Sequence, residues 1–523
     1  MSGSVRMRQL RVAVAGFAMA LNACTMLGPD YRQPDVEWLD DWHSDLYGQR
    51  ADPAGEQAVD LGFWWHLFND PALNALIAEA WHENPSLRSA GLRILESRAL
   101  LGIAGSGLYP QVQQLGGAID YVNTHQPDAP GGSRNESLVS YQAGFNLAWE
   151  LDFWGRFRRG VESADAAFFA SIANQQVAQM LLGAQVADLY YAYRTTERRI
   201  AIARENAAIQ RRSYEITENI YRSGQQGELD LQQAKTQYLA TLATIPELQM
   251  TLTQTRNALA AVLGRPPGEL LELSTGTGGL PAITPVQIQG IPARLLQRRP
   301  DVRAALWQVA AQSAQIGIAE TDFYPAISLN GSIGWSGSDS DSRPDIGTLA
   351  VGPSLRWNLF DHGRIANNVR VQDASLQLLI EQYRNTVLQA AREIDDAAIR
   401  VVKTDEQSRV LHEAVLASQR ALKLAQSRYQ EGYADFQRVL DAQRAMYTQT
   451  ERELVNQGSH VSAVISLYKA LGGGWSPVDV NDVIPEEVRD TMRQRSDWGD
   501  LLDYPLPDGV SAPPRNPEKV PHD

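Results

Sequence analysis

The chain has 523 residues, with 47 Lys and Arg against 61 Asp and Glu, and a formal net charge of −14. That balance excludes the basic footprint nucleic acid requires, and a single cysteine excludes an internal disulfide. Eight histidines fall at no metal spacing such as His-x-x-x-His, and Gly276-Thr277-Gly278-Gly279 lacks the strand-to-helix frame of a phosphate cradle, so no enzyme is expected.

Residues 1–23 read as an export signal. Arg6, Arg8 and Arg11 form a positive start, and Val12 to Leu21 form an apolar run too short to span a bilayer. Leu21-Asn22-Ala23-Cys24 resembles the bacterial lipoprotein processing site. The resemblance implies that Cys24 becomes the acylated first residue; this covalent lipid is the only non-protein group expected, with no cofactor and no metal. Thr25 follows it rather than Asp, which under the same resemblance favours outer-membrane sorting. Removing the signal takes away three positive charges, so −14 becomes −17. No later apolar run approaches the ~20 residues of a transmembrane helix, so any membrane crossing must be β-structure.

Residues 25–60 read as an extended arm. Beyond Phe63-Trp64-Trp65 and Asp70-Pro71, a helix carries Leu73, Leu76, Ile77 and Ala80 at three-four spacing. Asn84-Pro85 then opens a second helix toward residue 108, with Asn84 as N-cap. From here the chain repeats itself. Asn84-Pro85 matches Arg299-Pro300, and Tyr109-Pro110 matches Tyr324-Pro325, both at an offset of 215. Trp149, Gly155-Arg156, Tyr221, Gly224 and Leu263-Gly264 match Trp357, Gly363-Arg364, Tyr429, Gly432 and Leu471-Gly472, all at an offset of 208. One unit is used twice, with a single seven-residue slip between Tyr-Pro and Trp.

After each Tyr-Pro the pattern alternates. Copy one runs Tyr141, Ala143, Phe145, Leu147, Trp149, Leu151; copy two runs Ile327 to Trp335 and Leu349 to Leu359. One side is apolar and the other small or polar, as in a barrel wall of about 9–11 residues per strand. The polar stretches 123–137 and 336–345 suit outer loops. Long helices follow. Val186, Tyr193, Ile200, Ala207, Tyr214 and Tyr221 stand seven apart, as do Leu440, Tyr447, Leu454, Val461 and Tyr468. Seven-residue repeats predict supercoiled hairpins, which reverse at Gly224–Gly227 and at Gly432. The tail from Pro477 has eight prolines in 47 residues and is expected to be irregular.

The expected division is a signal at 1–23, a lipidated arm at 24–62, repeat one at 63–264, a linker at 265–295, repeat two at 296–472 and an acidic tail at 473–523. Repeat one contains a β-hairpin at about 110–151 and a helical hairpin at about 156–263; in repeat two these lie at about 325–360 and 364–471. Each copy supplies two strands, so the chain supplies four. Four strands cannot close, and an open edge in lipid is not tolerated. Three chains would give twelve strands and six helical hairpins.

The chain resembles the outer-membrane factor family, specifically the lipoprotein exit ducts of tripartite RND-type efflux pumps. The carrying residues are Trp64-Trp65…Asp70-Pro71, Arg299-Pro300-Asp301-Val302-Arg303 and Gly432…Leu440-Asp441-Ala442-Gln443. The resemblance implies a mixed, mainly α membrane protein: a trimeric 12-stranded outer-membrane β-barrel continued by a 12-helix coiled-coil periplasmic tunnel. It further implies a homotrimer in outer-membrane lipid, joined to a periplasmic membrane-fusion adaptor and an inner-membrane RND-type pump, exporting drugs or metal ions. Asp441 would form a carboxylate ring at the periplasmic constriction, with Gln437 where the family often has Leu; Asp230 and Gln233 are the copy-one counterparts. Gly224, Gly227 and Gly432 mark the tips that would contact the adaptor. A type I secretion duct shares this fold, and a periplasmic coiled-coil adaptor is the alternative of another class.

Overall fold

The structure, a computed structural model, describes residues 26–39, 46–48, 60–126, 134–224, 227–275, 279–281, 296, 298–339, 345–477, 480–503 and 505–507. The signal at 1–23 and Cys24 lie outside the described residues, as does most of the linker at 265–295.

A 3-10 helix over Leu61–Phe68 leads into α1 (Pro71–Glu83) and α2 (Pro85–Ser106). Strands β1 (Val112–Gln126) and β2 (Arg134–Glu150) precede a 67-residue helix, α3 (Arg156–Arg222), and its return, α4 (Glu228–Val262). The second copy follows the same order: α5 (Pro300–Thr321), β3 (Ala326–Ser338), β4 (Ile346–Arg356), the 67-residue α6 (Arg364–Gln430) and α7 (Phe436–Ala470). At 1.5 Å per residue each long helix reaches about 100 Å. No described helix is long and apolar enough to cross a membrane.

The four strands form one antiparallel sheet in the order β1-β2-β3-β4. Pairing sets Leu115, Phe145, Ile333 and Leu349 side by side on one face, and Gln114, Asn146, Ser332 and Ala350 on the other. The apolar face is open: Leu115 is 84% exposed and Leu349 74%. β1 and β4 are edges, each paired on one side only.

The helices make a wall four wide. Toward the strands its order is α2, α3, α5, α6; toward the hairpin tips it is α4, α3, α7, α6. Two long helices run the full length, and the four shorter ones stack end to end beside them. Burial follows position: α3, in the middle, buries more than twice as many side chains as α6 at the edge.

Two sequence expectations need correction. β1, β2 and β3 span 13 to 17 residues, longer than 9–11, and project into the stretches read as loops, whereas β4 keeps to 11. At their other ends they stop short of Leu151 and Leu359. There Asp152 turns to accept from the Phe157 and Arg158 amides, each at 3.0 Å, and starts α3. Asp361 does likewise for Gly363 and Ile365. The acidic tail is not wholly irregular either, because α8 spans Glu486–Arg495. Ile484, Met492 and Leu502 bury themselves on Ile94, Leu95, Phe168 and Ile172 of α2 and α3, apolar surface that would otherwise face water.

Candidate functional site

The tip of the wall starts from two turns. Gly224 and Gly432 take φ of 76° and 79°, a left-handed conformation that glycine adopts without a Cβ penalty. Gly227 differs; it is the extended residue before α4, at φ −76°. Around these turns Leu229 and Tyr433 are largely exposed.

One turn into α7 the sequence Leu440-Asp441-Ala442-Gln443 divides its labour. Leu440, with Phe436 and Val439, is buried against Ala234 and Leu422 and holds the tips of the two hairpins together. Asp441 points out, its side chain 56% exposed. Gln437 donates to its Oδ1 at 3.1 Å, and Arg444 stands 3.8 Å away. Gln233 and Gln437 line one polar groove between α4 and α7, a cavity of about 550 Å³. Asp230 and Asp441 are not among its lining residues, so the structure brings together the two glutamines and leaves both carboxylates outside that groove.

Sequence reasoning missed the residues that fasten α7 to copy one. Gln443 is fully buried and donates to the Ser213 hydroxyl of α3 at 2.8 Å. The Gln237 amide donates to the Leu440 carbonyl at 3.3 Å. Higher up, Arg199 pairs with Glu451 at 2.6 Å. These contacts join copies that lie far apart in the chain, and no local pattern announces them.

At mid-height the Trp-Trp…Asp-Pro segment wraps the wall. Trp64 stacks on Tyr468, with ring centroids 5.7 Å apart, and meets Trp65 and Phe68 edge-on. Asp70 is buried and caps α1 through the Ala72 and Leu73 amides, while the Tyr190 hydroxyl donates to its other oxygen at 2.7 Å. Burial, reinforced by Asp70, pushes the Tyr190 phenol up to about 12.

Near the strands the two copies repeat one bond in different registers. The Trp149 indole donates to the Leu108 carbonyl, and Trp357 donates to Phe323. Each tryptophan belongs to the 208 register and each carbonyl to the 215 register, so the seven-residue slip lies within the chain they enclose. Here too the arm is seated. The buried Arg159 guanidinium donates to the carbonyls of Leu27 and Gly28 and to Asp30. Gly28, at φ 83°, leaves no room for a Cβ, which would collide with the Gly317 backbone. Leu27 and Gly28 of the arm are thereby seated at the base of the sheet, where the Leu27 amide also donates to the Trp154 carbonyl at 3.1 Å.

A sheet that is apolar on one face and polar on the other, continued by a helical wall about 100 Å long, defines a subunit of a β-barrel channel with a helical extension. The family model for outer membrane efflux proteins matches residues 76–265 and 291–473, and the chain belongs to that family. The solved outer-membrane channel OprN superposes with a TM-score of 0.77 at 32% identity, covering 86% of this chain and all of that one. The toluene efflux pump outer membrane protein TtgI of Pseudomonas putida is 31% identical over 471 residues, 88% of this chain and 97% of its own. SilC of Salmonella typhimurium, named a probable outer membrane lipoprotein, is 29% identical over 482 residues, 90% of this chain and 100% of its own. The fold class is thus a trimeric 12-stranded barrel, four strands per chain, with a 12-helix tunnel. The chain is an outer-membrane efflux channel subunit with a periplasmic extension, and its relatives are transport conduits rather than enzymes.

Proposed function

We propose that three copies of this chain form the passive exit duct of a tripartite efflux system, carrying small molecules such as drugs or metal ions to the exterior. The observation that carries this reading is that barrel wall and tunnel wall are both open at their edges. β1 and β4 lack a partner on one side, and α6 leaves Val371, Leu378 and Val410 exposed along its length. Such edges are closed by further copies, not by water or lipid. Cys24 is the acylated residue, supported by the seating of Leu27 and Gly28 at the base of the sheet. The exposed Leu229 and Tyr433 at the tips suit contact with a periplasmic adaptor, through which an inner-membrane RND-type pump feeds the duct.

Asp441 supplies the constriction's charge in this reading. Its exposure leaves the carboxylate in water, so three copies would favour cations. Gln437 makes the surround polar, without the apolar plug that Leu would give. Asp441→Ala should lower the cation preference of the reconstituted channel, read as the reversal potential in a KCl gradient. An unchanged reversal potential would remove Asp441 from the constriction.

A further inference from the structure

Both copies solve one problem at mid-height, and they solve it differently. Where α4 ends and α2 begins, Asn84 caps both helices: its Oδ1 accepts from the Ser86 and Leu87 amides and its Nδ2 donates to the Val262 carbonyl at 2.7 Å. Where α7 ends and α5 begins, the equivalent residue is Arg299, and the carbonyl equivalent to Val262 in the 208 register is that of Ala470. Arg299 donates to it at 2.9 Å.

Arg299 does more. Its guanidinium also holds Asp301 of α5, at 3.0 and 2.8 Å, and Glu393 of α6, at 2.9 Å. Copy one has Gln185 at the place of Glu393, and Gln185 is exposed. The Arg299 side chain is buried, and Gly472, at φ 75°, lets the chain pass close to it. A single buried cation therefore grips both helices of the copy-two hairpin at the level where they meet α5. In copy one the long helix is not gripped by the joint residue.

We infer that Arg299 is a positioning residue for the channel: a clasp that fixes the tilt of the α6/α7 hairpin and hence the aperture at its tip. This rests on the reading that the tip carrying Asp441 is the constriction. The geometry gives leverage. The 35 residues of α7 place the tip about 50 Å below the clasp. Packed helices lie about 10 Å apart, so a rigid-body rocking of the hairpin that shifts α6 and α7 oppositely against α5 by a total of about 1 Å at the clasp tilts it by about 6° and moves the tip by about 5 Å. Lysine cannot replace the clasp, because a point ammonium does not reproduce the planar fork that spans two carboxylates and a carbonyl.

The test uses the full-length trimer carrying Glu431→Cys for spin labelling, with distances between chains measured at the tip and bilayer conductance recorded on the same preparations. Arg299→Lys and Glu393→Gln should each lengthen the distance between chains, by about 9 Å where every tip of the threefold assembly moves about 5 Å outward, and raise resting conductance severalfold. Lys403→Gln, which removes the exposed pair with Glu406 lower on α6, should do neither. Unchanged tip distances in both clasp variants would overturn the inference, as would an equal lengthening in Lys403→Gln. If Arg299→Lys fails to assemble, Glu393→Gln decides alone, since it keeps the buried guanidinium and its bonds to Asp301 and Ala470. Longer distances with unchanged conductance would uphold the clasp and overturn the constriction at Asp441 instead.

Discussion

Phe145→Arg is expected to cost each chain about 2–4 kcal/mol, while Asn146→Arg, its immediate neighbour, should stay within about 0.5 kcal/mol. Phe145 stands in the row Leu115, Phe145, Ile333, Leu349 across the middle of the sheet's apolar face. A guanidinium there would sit in hydrocarbon without a partner. Asn146 stands on the opposite face with Gln114 and Ser332, where water is available. Three chains multiply the difference, so Phe145→Arg should leave little assembled trimer in the outer membrane, measured as the heat-resistant band on a gel. Equal trimer loss in both variants would mean that the sheet faces are wrongly assigned to lipid and water.

Trp64→Ala should remove about 3–5 kcal/mol from the mid-height core, the range for deleting a buried aromatic side chain. Trp64 is fully buried, stacked on Tyr468 and bracketed by Trp65 and Phe68. Among the described residues its indole N–H has no acceptor, so the side chain acts here as apolar volume. Trp64→Phe keeps part of that volume and should lose less than half as much. Guanidinium unfolding followed by circular dichroism reads both. A Trp64→Ala midpoint equal to the wild type would show that the segment is not part of the core.

What the sequence made legible depended on the range of the physics involved. Alternation is local, so Tyr141, Ala143, Phe145, Leu147 and Trp149 announced one face of β2 without any knowledge of its partners. β1 is harder, because Gly116 and Gly117 interrupt the apolar positions Leu115 and Ile119; only pairing with β2 shows which side they face. Asn84 was readable as an N-cap, a bond spanning three residues. That the same amide also caps Val262, 178 residues away, depends on two helices meeting in space. α8 was missed for another reason. Proline count and net charge described the tail as a whole, whereas Glu486 and Glu487 in the first turn and Arg493 and Arg495 in the last form a local helix signal.

The tip shows the same division. Leu440-Asp441-Ala442-Gln443 identified the region, but a single residue in it could not be told from its neighbours by sequence. Leu440 and Gln443 turn inward, to the tip core and to Ser213, and only Asp441 projects outward. The groove between α4 and α7 likewise depends on how the two copies dock, and Gln233 and Gln437 both line it although neither is near the other in the chain.

The central claim is that copies of this chain enclose a continuous aqueous path across the outer membrane. Planar-bilayer recording of the purified full-length protein tests it most directly. Discrete, cation-preferring conductance steps are expected. A preparation that inserts, shown by protection of the barrel strands from added protease, and yet passes no current under any applied voltage would contradict it.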